Sequence, residues 1–201
     1  MRRRPGQDFV HRGHAPEYDR GAVNSALLAA IFNRDDSARD ALLADGAELG
    51  VLEAAALGRE DRLTELLDAD PAAIDARSDE GFRPLEIAAF FGHPGAVRLL
   101  LARGGSADGD GENAFRIRPL HAAAAASSLD AVTALLEAGA DPNHPQNGGF
   151  TPLHAAAHRD DVELARVLLA HGADPARTTD DGRTAKDIAT ADGSSRVAAL
   201  L

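Results

Sequence analysis

Apolar positions along the chain come in short bursts of helical spacing, separated at near-constant intervals by clusters of Gly, Asp, Pro and Asn. One such phrase, "TPLHAAAHRDDVELARVLLAHGADP" from Thr151 to Pro175, lies over "RPLHAAAAASSLDAVTALLEAGADP" from Arg118 to Pro142 without a gap. With its proline as a register mark, the phrase recurs at Pro84, Pro119 and Pro152, then degrades to Ala185, at intervals of 35, 33 and 33 residues. Another 33 residues upstream lies Val51 in "VLEAAALGREDRLTELLDAD". A final match, "ALLAAIFNRDDSARDALLADGA", puts Ala26 at the mark, 25 residues before Val51. Self-similarity of this period marks a repeat architecture, in which each unit buries its apolar face on the next.

Each unit predicts a helix, a polar break, a second helix and an extended turn. Thr151 and Thr184 suit an N-cap, and proline at the next position suits a first turn that needs no amide donor. The first helix carries paired small residues, Ala88-Ala89, Ala123-Ala124 and Ala156-Ala157, which favour helix and let neighbouring helices approach. The second carries Leu99-Leu100, Leu135-Leu136 and Leu168-Leu169 and stops at Gly104, Gly139 and Gly172, where a left-handed residue is wanted. The segments that follow, "ADPNHPQNGGF" and "ADPARTTDDGR", have tight-turn chemistry.

The phrase "TPLHAAA…LLAHGADP" resembles the ankyrin repeat, over roughly residues 22–201. The resemblance implies an all-α solenoid of stacked helix-turn-helix repeats with projecting β-hairpin fingers and degenerate capping repeats at both ends. Helix pairs are then expected near residues 22–47, 48–80, 81–115, 116–148, 149–181 and 182–201, after a tail over 1–21 that is open to disorder. Arg83 and Arg118 depart from the pattern by replacing the capping threonine, at about 1 kcal/mol each if nothing else caps the helix. Glu86 takes the place of the motif histidine and, as a carboxylate in a first helical turn, offsets part of that cost. The finger from Gly105 to Arg118 is two residues longer than its fellows. The first unit lacks about eight residues between Gly46 and Val51 relative to the repeat, which predicts a bare helix pair. Lys186 replaces the motif leucine and the chain stops at Leu201, so the last unit reads as a cap.

Composition narrows the function. The chain has 201 residues, is 44% hydrophobic, has no cysteine and carries a net charge of -11. The absence of cysteine removes disulfides and thiolate metal sites. The acidic balance disfavours nucleic acid as a partner, and no segment approaches the length of a membrane span. Cytoplasmic residence is the default, and the Ala-, Arg- and Asp-rich composition is associated with a bacterial, GC-rich coding sequence.

Candidate chemistry is sparse. "HAAAH" sets His154 and His158 on one helix face, a zinc-chelating spacing. Yet His154 is the motif histidine and no glutamate follows it as a base, so both read as structural. "HRGH" (His11, His14) is a weaker pattern of the same kind. "DGDGEN" (Asp108 to Asn113) lacks the spacing and terminal glutamate of a calcium loop and reads as a solvated turn. No cofactor, metal or catalytic residue is expected, and the chain is not expected to be an enzyme.

The aromatic residues point to a partner instead. If the resemblance holds, fingers and first helices line a concave recognition face. Two residues before each mark stand Phe82, Ile117, Phe150 and Arg183; after the alanine pairs stand Phe90-Phe91, Ala125-Ala126 and His158-Arg159. Exposed aromatics and arginine are the usual material of interface hot spots. The expectation is a monomeric, non-catalytic module that binds another protein through Phe82, Phe90, Phe91, Ile117, Phe150, His158, Arg159 and Arg183. The alternative is an inhibitor or immunity-type protein whose acidic fingers occlude a basic enzyme's active site.

Overall fold

The computed structural model describes residues 26–113 and 115–201; the "HRGH" stretch and the whole 1–21 tail lie outside the described residues. Within them, twelve α-helices form six helix-turn-helix pairs. The pairs are α1 (Ala26–Phe32) with α2 (Asp36–Ala44), α3 (Val51–Ala56) with α4 (Glu60–Ala69), and α5 (Pro84–Phe90) with α6 (Pro94–Ala102). They continue as α7 (Pro119–Ala125) with α8 (Leu129–Glu137), α9 (Pro152–His158) with α10 (Val162–Ala170), and α11 (Ala185–Asp192) with α12 (Ser195–Leu200). The first helices stack in chain order from α1 through α3, α5, α7 and α9 to α11, and α4, α6, α8, α10 and α12 form a second row behind them.

Side-chain size explains the first row. Ala54-Ala55, Ala88-Ala89, Ala123-Ala124 and Ala156-Ala157 are all 0% exposed, because a methyl group is what fits where one first helix crosses the next. In the second row the buried positions recur as Ala96, Val97 and Leu100, then Ala131, Val132 and Leu135, then Leu164, Ala165 and Leu168. This stripe faces the first row. These helices end at Gly104, Gly139 and Gly172 with φ of +94°, +92° and +89°. A Cβ at any of the three would meet no atom within 4 Å, so glycine is required there for its backbone conformation and not for space.

The fingers are tighter than β-hairpins. Among the described residues no strand forms, and the trace of one is an isolated antiparallel bridge between Thr178 and Thr184. Each turn closes between residues four apart: the amides of Ser78, Gln146 and Thr179 donate to the carbonyls of Phe82, Phe150 and Arg183 at 2.9, 2.8 and 2.9 Å. A short polar side chain takes the amide of the closing residue, Ser78 Oγ from Phe82 at 3.2 Å and Thr179 Oγ1 from Arg183 at 3.1 Å. In the longer finger Asn113 does both jobs, its Nδ2 donating to the Ile117 carbonyl and its Oδ1 accepting the Ile117 amide at 2.9 Å. The first pair has no finger, and Lys186 is exposed on α11.

Motif position four shows how polar groups are accommodated at the helix starts. His154 is 1% exposed. Its Nδ1 accepts from the Thr151 amide at 3.1 Å and pairs with Thr151 Oγ1 at 2.9 Å, and Nε2 meets the Arg183 carbonyl at 3.2 Å. These partners require the neutral ring with its proton on Nε2, donated to the next finger. Burial accordingly lowers the affinity of His154 for a second proton. One imidazole thus caps its own helix and holds the following turn, and neither nitrogen is left for a metal. His121 holds the same position below Arg118, which offers no hydroxyl. The backbones of His144 and Phe150 approach its ring, but neither nitrogen completes a hydrogen bond, and burial pushes its pKa down to about 4. At Glu86 half of a capping box survives: Oε2 accepts the Arg83 amide at 2.7 Å. The other half is missing because a guanidinium cannot accept.

Two measurements check these inferences. Ala123→Leu should lower the stability read from urea denaturation by about 1–3 kcal/mol through overpacking, while Ala125→Leu, at an exposed position of the same helix, should stay within about 0.5 kcal/mol. His121 binds a proton near pH 6.5 when unfolded and near 4 when folded, so it withdraws stability as pH falls through that window. At pH 5 the loss is on the order of 2 kcal/mol. His121→Leu should flatten the fall in urea midpoint between pH 7 and 5.

Candidate partner-binding face

The two rows of candidate side chains lie at opposite ends of the first helices, separated by a seven-residue helix that is about 10 Å long. Those at the helix starts sit at the base of the fingers. Phe82 is half-buried and stacks on Phe115 of the next finger, with ring centroids 6.2 Å apart and planes at 19°. Phe150 is also half-buried and meets the edge of His154 at 5.8 Å. Ile117 packs against the core, and exposed Arg183 pairs with Asp181 at 2.8 Å. The outermost ring of this row is therefore Phe115, at 42% exposure. Its place in a finger is plain in the sequence, but it stands two residues before Ile117 and so falls outside the row read by register.

At the helix ends, Phe90 is 46% exposed and Phe91 half-buried, with rings in T-shaped contact at 5.2 Å. A third ring completes the cluster: Phe32, from the end of α1, lies 6.0 Å from Phe90 and 5.2 Å from Phe91. Phe32 stands as far after Ala26 as Phe90 does after Pro84, so the register that revealed one ring contained the other. The position in the same register after α3 is Leu57, partly buried against the core.

Farther along, the same row is stitched to its neighbours. His158 pairs through Nδ1 with Asp192 at 2.6 Å. Arg159 donates to the Ala125 carbonyl at 2.5 Å and to Ser127 Oγ at 3.2 Å, filling acceptors at the end of α7. Both side chains remain exposed, but the Arg159 guanidinium is held by the preceding unit. The residues at these ends thus divide into an aromatic cluster on α1 and α5 and a polar seam on α9.

The acidic loop is also internally engaged. Asp108 Oδ1 accepts the Asp141 amide at 3.1 Å, and Arg118 reaches back to the carbonyls of Asp108 and Gly109 at 2.8 and 2.9 Å. Asp110 holds Arg77 at 2.5 Å and also the Arg83 guanidinium. Burial acts to raise the Asp110 carboxyl, but the Glu112 amide and the two arginines outweigh it and hold it below the ordinary range. Glu86, by contrast, is raised by burial to about 7. Arg83 and Arg118 thus exchange the hydroxyl cap of a threonine for grips on the long finger. Asp110 of that finger is paired with two arginines, and Asp108 accepts a backbone amide of the next unit. Among the described residues no group of three or more His, Cys, Asp or Glu side chains is placed to hold a metal, and no helix is long and apolar enough to cross a membrane.

No curated protein matches the chain. A family model for ankyrin repeats, in three copies, matches residues 51–146 and 120–201. That span covers the helix pairs from α3 onward with their fingers and extends over well more than half of the sequence: the chain belongs to the ankyrin repeat family.

Proposed function

We propose that this chain is a non-catalytic adaptor or regulator that binds a single protein partner through the exposed aromatic rings of its first-helix and finger rows. Ankyrin repeats are generally protein–protein interaction modules and typically have no catalysis of their own. The observation that supports this face is the pairing of an exposed ring with half-buried rings in both rows: Phe90 on Phe32 and Phe91, and Phe115 on Phe82. A ring held by other rings loses little freedom on binding and presents apolar area at once, which is how a hot spot is built. Ile117, Phe150, His158, Arg159 and Arg183 complete the surface as a rim. The protein acts as a monomer in the cytoplasm of a bacterial cell, its cysteine-free composition being indifferent to redox state.

The inhibitor reading has less support, because Asp110 of the long finger is already paired with Arg77 and Arg83. Phe90→Ala combined with Phe115→Ala tests the aromatic reading. Capture of the native partner should fall by about tenfold or more, with a melting temperature within about 4 °C of the parent. Undiminished capture by a folded double variant would remove this face from consideration, and capture that collapses at high salt would favour the charged alternative.

A further inference from the structure

Two buried atoms at the start of α5 lack partners of opposite kind. Glu86 Oε1 accepts no hydrogen bond, and Arg83 Nε, with the Asp75 carboxylate 3.7 Å away, donates none. The residues flank one helix start, yet the guanidinium is engaged elsewhere, on Asp110 of the long finger. The finger also lies directly over the unpaired oxygen: a Cβ at Gly109 would come within 2.8 Å of Glu86 Oε1 and 3.0 Å of Pro119. Gly109 has a φ of +57°. A carboxyl in this position is readily buried as the acid and costly to bury as the anion.

The charged surroundings sharpen the contrast. Arg83 and Arg77 approach Glu86 from the segment before α5, and Asp110 opposes its ionisation from the finger. On α3, Glu53 is turned back on Gly50, where a Cβ would lie 2.8 Å from its Oε2. On α7, buried His121 is neutral. On the 3-10 turn Pro71–Asp75, Asp75 faces Arg83. Both cations near Glu86 are thus held by Asp110.

We propose that Glu86, Arg83 and Asp110 form a proton-operated latch on the finger from Gly105 to Arg118. With Glu86 protonated, Arg83 and Arg77 together pin Asp110 and the finger is closed. When Glu86 ionises, Arg83 turns to its bare oxygen, and Asp110 is left to Arg77 alone. The proton moves between Glu86 and solvent, and no other bond is made or broken covalently. The sign follows from burial: the folded carboxyl titrates near 7 and the ordinary one near 4.5. Its contribution to stability is therefore complete below about 4.5 and is lost as pH rises through about 7. Release would loosen the Phe115–Phe82 stack. That consequence for binding rests on the proposed aromatic face, whereas the latch itself does not.

Hydrogen exchange by NMR on the whole chain, without any partner, tests the latch. Protection factors at the Gly109, Glu112 and Ile117 amides, corrected for intrinsic exchange, should fall by about tenfold between about pH 5.5 and 8.5. Glu86→Gln should hold them at the low-pH level throughout, and the Gln146 and Gly149 amides of the next finger should stay flat in both proteins. Asp110→Asn should leave the long finger weakly protected at every pH, and it decides the matter alone if Glu86→Gln does not fold. A pH response that survives in Glu86→Gln, a parent finger that does not respond, or full low-pH protection in Asp110→Asn would overturn the latch. Loss or retention of partner capture by the Phe90/Phe115 variant bears on the binding face and leaves this result untouched.

Discussion

Where α3, α5, α7 and α9 stack on one another, the sealed positions at the middle of each helix are alanine methyl groups. Ala54-Ala55, Ala88-Ala89, Ala123-Ala124 and Ala156-Ala157 are fully sealed because the helices lie close, and that closeness sets the spacing of everything attached to them. It brings each finger within hydrogen-bonding reach of the next, as in the Asp141 amide on Asp108 and the Asp174 amide on Asn143. It also lets Phe32 and Phe90 touch although a whole helix stands between them. Leucines of both rows are buried with them, but the alanines determine where each unit sits.

Close stacking buries the starts of α5, α7, α9 and α11, and these units must then satisfy polar groups that water cannot reach. The repeat answers differently each time. Thr151 and His154 form a complete arrangement that also holds the next finger. His121 retains the ring without its partners, and Glu86 retains one bond of two. The arginines at 83 and 118 account for the difference: they give up the cap and reach into the longer finger. Departures that look like decay one position at a time therefore form a single local exchange.

Much of this was legible in the sequence. The proline marks located the first helices from Pro84 onward, and the glycines after the second helices took the left-handed conformation their positions implied. The resemblance implied hairpins; among the described residues the fingers are tight turns closed between residues four apart, with one isolated bridge between Thr178 and Thr184. Phe32 stood in the same register as Phe90, but its contact with that ring spans an intervening unit, which no local pattern encodes. The engagement of Arg159 and of Asp110 was beyond reach, because it depends on partners roughly one unit away along the chain whose side-chain reach no local pattern encodes.

The longer finger carries its two extra residues between anchor points that keep their places: Asn113 closes on Ile117 as Ser78 closes on Phe82, and Pro119 opens its helix as Pro84 does. Length added there is absorbed by the loop and is not transmitted to the pitch of the stack. Such a scaffold can vary the outline it shows to other molecules while its interior stays in step, so novelty at the rim leaves the folding of the remaining units undisturbed.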